Sequence, residues 1–226
     1  MPKPLIYLGS SHNLEFYNFV ANQNDIPIHG IIDSDYWGNT DRFYDTPVIG
    51  SELDFDFDAA REKFSFFVAS SAVPTVPRDR FKRQKFIDLA VKYKLPAQTL
   101  IDRQAQIFPS VVIEPGCFIG FQVGIAGRCR IGSHSQVLTG ALLGHDTVIG
   151  QNSVIAHRAV LTGGTIVGDD VYVGAGVLAV NHGGIIINDN SEIQPGIILM
   201  RDVDQNEIIS IGGKNTRRIF KDVIRN

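Results

Sequence analysis

From residue 101 onward, every sixth residue of the chain is Ile, Leu or Val. The series runs Ile101, Ile107, Ile113, Ile119, Ile125, Ile131, Val137, Leu143, Ile149, Ile155, Leu161, Val167 and Val173. Four residues after each stands a small or medium-sized residue, from Ala105, Val111, Cys117 and Val123 through Ser153, Ala159, Thr165 and Val171 to Val177. A period of six with one inward aliphatic per unit predicts a parallel β-helix, in which each unit is one short flat strand and three units close a triangular turn. Residues one full turn apart then stack at about 4.8 Å, the spacing of neighbouring strands. Glycines directly follow many of the aliphatics (Gly120, Gly132, Gly144, Gly150, Gly168, Gly174), where the chain turns a corner and a side chain would be crowded. The register slips once: Ile187, Ile193 and Leu199 resume the period two residues out of phase, so the stretch around Val180 to Ile186 must hold a bulge or small loop. Beyond Arg201 the repeat gives way to a tail containing Gly212-Gly213-Lys214.

The repeat also explains the composition. Of 22 glycines in 226 residues, only Gly9, Gly30, Gly38 and Gly50 precede residue 100. The uneven distribution divides the chain into an α/β part over 1–100, the β-helix over 101–200 and a tail over 201–226. Both cysteines, Cys117 and Cys129, fall on the small inward position and read as core residues, and two alone form neither a disulfide framework nor a zinc site. A net charge of −3 without blocks of like charge argues against nucleic acid as the main partner. The start, through Ser11, holds no long apolar stretch, so neither a secretory signal nor a membrane span is expected and the reading is a soluble cytoplasmic protein.

Before residue 100 the pattern is alternation. Leu5-Ile6-Tyr7-Leu8 is a strand-like run ending in Gly9-Ser10-Ser11-His12-Asn13, after which Leu14, Tyr17 and Ala21 recur at helical spacing. Ile28 to Ile32 ends in Asp33-Ser34-Asp35, Phe66 to Ala69 ends in Ser70-Ser71, Arg78 to Lys94 suits a surface helix, and Gln98 to Ile101 is a candidate fourth strand. Strands separated by helices imply a parallel sheet, with ligands beyond the strands' carboxyl ends. The distance from Gly9 to Asp33 is close to the spacing at which an acidic group meets a nucleotide's ribose. The full Gly-x-Gly-x-x-Gly is absent, and Gly9-Ser10-Ser11 also reads as an ordinary turn with a helix cap.

With Gly144-His145-Asp146-Thr147-Val148-Ile149-Gly150 in repeat phase, the chain resembles the bacterial sugar acyltransferases that join a short Rossmann-like nucleotide-sugar-binding domain to a left-handed β-helix. These are the sialic acid O-acetyltransferase type and the N-acetyltransferases of UDP- or GDP-linked amino sugars such as bacillosamine and perosamine precursors. The likeness also rests on the Gly9 to His12 turn, on Asp33-Ser34-Asp35, on Thr46-Pro47-Val48-Ile49-Gly50 and on the hexapeptides. It implies His145 as general base and Asp146 as its acidic partner. It also implies Gly163, one full turn above His145, as the amide that meets the thioester carbonyl, and Ala175 as a coenzyme contact. Gly9, Ser10, Ser11, His12, Asp33 and Asp35 become the nucleotide contacts. Acetyl-CoA is implied as cosubstrate and a homotrimer as the assembly, with a nucleotide-linked amino sugar as acceptor, direct transfer and no metal.

The chain departs from this family where many relatives carry an Asn and a second His: those positions are Leu138 and Val154. His157 reads either as an exposed corner residue or as a group approaching a neighbouring subunit's cleft. His182, in the interrupted stretch, is a second candidate base, although no acidic residue flanks it. O-acetylation of a sialic-acid-type sugar and a non-catalytic nucleotide-sugar-binding scaffold remain alternatives to N-acetylation.

Overall fold

The computed structural model describes residues 2–70, 77–181, 183–210 and 216–217. It divides into two compact units: Met1–Arg103 with Glu114–Ile119, and Gln104–Ile113 with Gly120–Asn226.

The first unit is an α/β sheet. Its elements in order are β1 (Leu5–Leu8), α1 (Leu14–Gln23), β2 (Ile28–Ile32), β3 (Arg42–Phe43), β4 (Thr46–Gly50), α2 (Phe57–Ala60), β5 (Ser65–Val68) and α3 (Pro77–Lys92). The strand order is β3-β4-β2-β1-β5, parallel throughout except for the β3–β4 hairpin. Strand β1 is central and wholly buried, as an uninterrupted apolar run should be when both faces of a sheet are covered. On one face a core cluster holds Ile6, Leu8, Ile32, Phe57, Phe66, Val68 and Phe86, so α3 packs through Phe86. On the other, Tyr17 of α1 meets Phe67 of β5 edge-on at 4.9 Å. Arg83, also on α3, is buried as well, and its Nη1 donates to Val68 O at 2.8 Å and Ser70 O at 2.9 Å at the end of β5. The chain passes from β1 to β2 on one side and reaches β5 on the other, which makes the carboxyl end of β1 a topological switch point.

Two expectations are corrected in this unit. The fourth parallel strand is Thr46–Gly50, joined to β2 without an intervening helix. Leu100–Ile101 belongs to another sheet, where it pairs in parallel with Phe118–Ile119, and Ala97 supplies an isolated bridge to Phe66 of β5.

The second unit is a parallel β-helix. Strands of two residues recur every six, and each pairs in parallel with the strand one full turn away, as Arg130–Ile131 does with Val148–Ile149, and that strand with Ile166–Val167. The aliphatics from Ile119 to Val173 are buried. The small inward position tolerates Ser and Thr because each hydroxyl finds a carbonyl, as Ser135 Oγ does on Gly150 O at 2.6 Å and Ser153 Oγ on Gly168 O at 2.8 Å. Where a glycine follows the aliphatic, close approach requires it: a Cβ on Gly132, Gly144, Gly150 or Gly174 would lie 2.4–2.6 Å from an atom of the next coil.

The left-handed backbone conformation sits two residues beyond that position, at Gln122, Arg128, His134, Gly140, Asp146, Asn152, Arg158, Gly164, Asp170 and Gly176. The phase slip is a two-residue insertion, since Ile166 pairs with Ile186 and Tyr172 with Glu192. The coil then continues past Arg201, where the sequence period is lost. Ile187 bridges to the buried Val203, and Glu192 pairs with Ile208, each across a turn two residues shorter than the regular one.

Candidate active site

His145 lies at the corner between the strands Leu142–Leu143 and Val148–Ile149. Backbone bonds to the neighbouring coils fix this corner. Gly144 N–H donates to Leu161 O at 2.8 Å, Gly164 N–H donates to His145 O at 2.8 Å, and Asp146 N–H donates to Gly127 O at 3.0 Å. The Gly144 carbonyl accepts Thr147 Oγ1 at 2.7 Å and Cys129 Sγ at 3.1 Å. Cys129 is thus a packing residue whose thiol burial pushes up, unsuited to nucleophilic chemistry.

The left-handed conformation of Asp146 (φ 59°), one that Asp adopts more readily than most residues, turns its carboxylate back toward His145. Asp146 Oδ2 stands 2.7 Å from His145 Nδ1. One coil below, the Arg128 guanidinium donates to the same carboxylate twice, Nε to Oδ1 at 2.6 Å and Nη2 to Oδ2 at 2.7 Å. The guanidinium first, and His145 second, hold the Asp146 carboxyl well below the usual carboxylate range. An ionised carboxylate only accepts, so Nδ1 carries a proton, which in the neutral ring leaves the lone pair on Nε2.

The imidazole lies against Gly163, where an added Cβ would come within 2.6 Å of Nε2. Gly163 N–H donates to no group among the described residues. Ring and glycine open onto a cleft of about 600 Å³, also lined by Thr162, Gly164, Val180, Asn181, Gly183 and Met200. An exposed imidazole with a free Nε2, beside an unengaged amide, can take a proton on one side and donate to an oxyanion on the other.

The other predicted residues are placed as follows. Ala175 and His157 share a different corner of the coil, one turn apart, where Gly176 N–H donates to His157 O at 2.9 Å. Neither stands on the His145 column, and His157 is exposed. Leu138 and Val154 are buried apolar residues. His182, Gly212, Gly213 and Lys214 lie outside the described residues.

In the α/β unit, Gly9 adopts φ 74° at the end of β1, and a Cβ there would lie 2.6 Å from the Phe86 ring. Ser11 Oγ accepts the Asn13 N–H at 3.3 Å, a local turn contact, and His12 Nδ1 stands 3.3 Å from Tyr44 Oη. Asp33, fully buried, is saturated from within the unit. It accepts from Ser10 Oγ at 2.6 Å, from Lys82 Nζ at 2.6 and 2.8 Å and from Asp35 N–H at 3.1 Å. Lys82 also reaches Asp35 Oδ2 at 2.7 Å. Beside them Glu52 accepts Ser34 N–H, Ser34 Oγ and Lys85 Nζ. Burial pushes the Glu52 carboxyl up, but the Lys85 and Ser34 bonds outweigh it and lower the pKa to about 2. Asp33 therefore organises the end of the sheet, and the surface offered there is Asp35, Lys82, Ser10, Ser11 and His12. Lys82, on α3, and Arg128 belong to no motif in the sequence; the only signal for Arg128 is its place one full turn of the coil before Asp146.

Residues 95–209, just over half of the chain, match the family model described as the GMPPB C-terminal domain. The chain belongs to that family. A curated relative, the bifunctional protein GlmU of Levilactobacillus brevis, is 36% identical over 81 residues, which cover 36% of this chain and 17% of GlmU. The match thus spans less than a fifth of that relative's length.

Solved structures match over nearly the whole length. Perosamine N-acetyltransferase of Caulobacter crescentus, solved as a histidine-to-asparagine mutant with CoA and GDP-perosamine, is 22% identical with a TM-score of 0.80, over 94% of this chain and 96% of that one. WeeI of Acinetobacter baumannii is 20% identical with a TM-score of 0.79, over 94% and 99%. The acetyltransferase domain of PglB from Neisseria gonorrhoeae, in complex with acetyl coenzyme A, is 19% identical with a TM-score of 0.70, over 96% and 100%. The fold is therefore an α/β unit followed by a left-handed β-helix. No helix among the described residues is long and apolar enough to cross a membrane.

Proposed function

We propose that the chain is an acetyl-CoA-dependent N-acetyltransferase acting on a nucleotide-linked amino sugar. One observation carries the reading: His145, oriented by Asp146 through Nδ1, presents Nε2 to an open cleft directly against Gly163, whose N–H is unengaged among the described residues. The fold likeness to an enzyme solved with CoA and GDP-perosamine supports the choice of donor and acceptor class.

The acceptor amine, its ammonium proton released to solvent, attacks the thioester carbonyl carbon. The carbonyl oxygen gains negative charge and takes the Gly163 N–H. His145 Nε2 removes the second proton as the C–N bond forms, Asp146 balances the imidazolium, and the C–S bond breaks. The departing CoA thiolate then receives that proton from Nε2, and no charge is left behind.

The carboxyl ends of β1 and β2 hold the nucleotide, with Lys82 added to Asp35 and the Ser10 to His12 turn. Because Ala175 stands on a different corner from His145, a coenzyme that touches both spans two edges of the coil, which a cleft between neighbouring subunits of a trimer provides. Thiol release from acetyl-CoA, measured with UDP-, GDP- and dTDP-linked amino sugars, tests the reading. Turnover with at least one amino sugar and none with its hydroxyl counterpart is expected. Turnover only with the hydroxyl sugar, or with none, contradicts it.

A further inference from the structure

We propose that Arg128 is a positioning residue for His145: its guanidinium fork fixes the Asp146 carboxylate so that Oδ2 takes the Nδ1–H and Nε2 is left as proton acceptor. The inference rests on the acetyltransferase reading for its kinetic part alone.

The geometry is that of a planar fork on a planar acceptor, with two short charge-assisted bonds to one carboxylate. Both backbones are pinned, since Arg128 N–H donates to Ser110 Oγ at 3.0 Å and Asp146 N–H to Gly127 O at 3.0 Å. The fork is needed because the Asp146 side chain is 44% exposed. A carboxylate so open to water would turn freely about its side-chain bonds, and among the described residues only His145 and Arg128 hold it. Arg128 touches no reacting atom and acts through Asp146, as outer partners orient the ligands of a metal site. Stacking alone does not explain the pair. At the next corner Asn152 Nδ2 donates to Asp170 Oδ1 at 2.7 Å, an amide on a carboxylate, and at a third Arg158 stacks beneath Gly176, with no carboxylate above it.

The test uses protein labelled with ¹⁵N at histidine, without ligand, with the His145 signals assigned by their loss in His145→Gln. The unsubstituted protein should show the Nδ1–H tautomer. Arg128→Met should move the population toward Nε2–H, with Arg128→Lys in between and millimolar guanidinium restoring the original signature. In steady-state kinetics Arg128→Met should lower kcat on the order of 10-fold with the KM for acetyl-CoA little changed. In an Asp146→Asn background the same substitution should add nothing.

An unchanged tautomer in a folded Arg128→Met protein overturns the proposal. So does a loss additive with Asp146→Asn and expressed in KM, which would make Arg128 a coenzyme contact. A tautomer shift in a protein that acetylates no sugar would uphold the positioning role and sink the acetyltransferase reading.

Discussion

Gly144 and Gly163 meet across one coil spacing, yet replacing each should have opposite consequences. A Cβ at Gly144 would lie 2.4 Å from Gly163 N, against backbone that cannot yield, so Gly144→Ala should destabilise the coil by about 1–3 kcal/mol in denaturant titration. The nearest atoms to a Cβ at Gly163 belong to the His145 ring, an exposed side chain able to swing away. Gly163→Ala should therefore leave the melting temperature nearly unchanged and remove most acetyl transfer, because the displaced ring no longer faces the cleft. A stable and fully active Gly163→Ala protein would place the chemistry elsewhere.

At the scale of elements, the loop after β2 and helix α3 are joined by Glu52, whose pKa of about 2 lies below the usual glutamate value of about 4.3. A carboxyl depressed on folding stabilises above its unfolded pKa, and that contribution is lost as pH falls through the folded value. Stability should thus decline between about pH 4.5 and 2, and Glu52→Gln should flatten that part of a stability-against-pH curve. An unaltered slope would show that the Ser34 and Lys85 bonds contribute nothing to folding.

The same scale shows what is legible in the sequence. The coil and the phase of His145 and Asp146 follow from the six-residue period, because every inward position is decided by burial. Strand β4 is hidden by Pro47 and by the absence of a helix between it and β2. The last coil escapes the period because its turn contracts by two residues, which erases the repeat without unwinding the coil. Lys82 is masked among the basic residues of α3, and Asp33 is internally saturated, a property that burial and partners decide and spacing does not.

Over the whole molecule, the β-helix leaves outward rows of apolar side chains uncovered. Leu142, Ile198 and Met200 are 49%, 67% and 71% exposed, and Ile166 and Ile186 on another face are each 45% exposed. Flat apolar faces of this kind call for partners. Sedimentation equilibrium should give three times the 24.9 kDa chain mass, and a monomer at micromolar concentration would contradict an active site shared between subunits.

That His145 Nε2 is the base of an acetyl transfer is tested most directly by the rate of CoA thiol release in His145→Ala, with His182→Ala measured beside it. A loss of about 10²-fold or more in the first and a near-native rate in the second are predicted. An undiminished rate in His145→Ala, or activity abolished only by His182→Ala, would contradict that role.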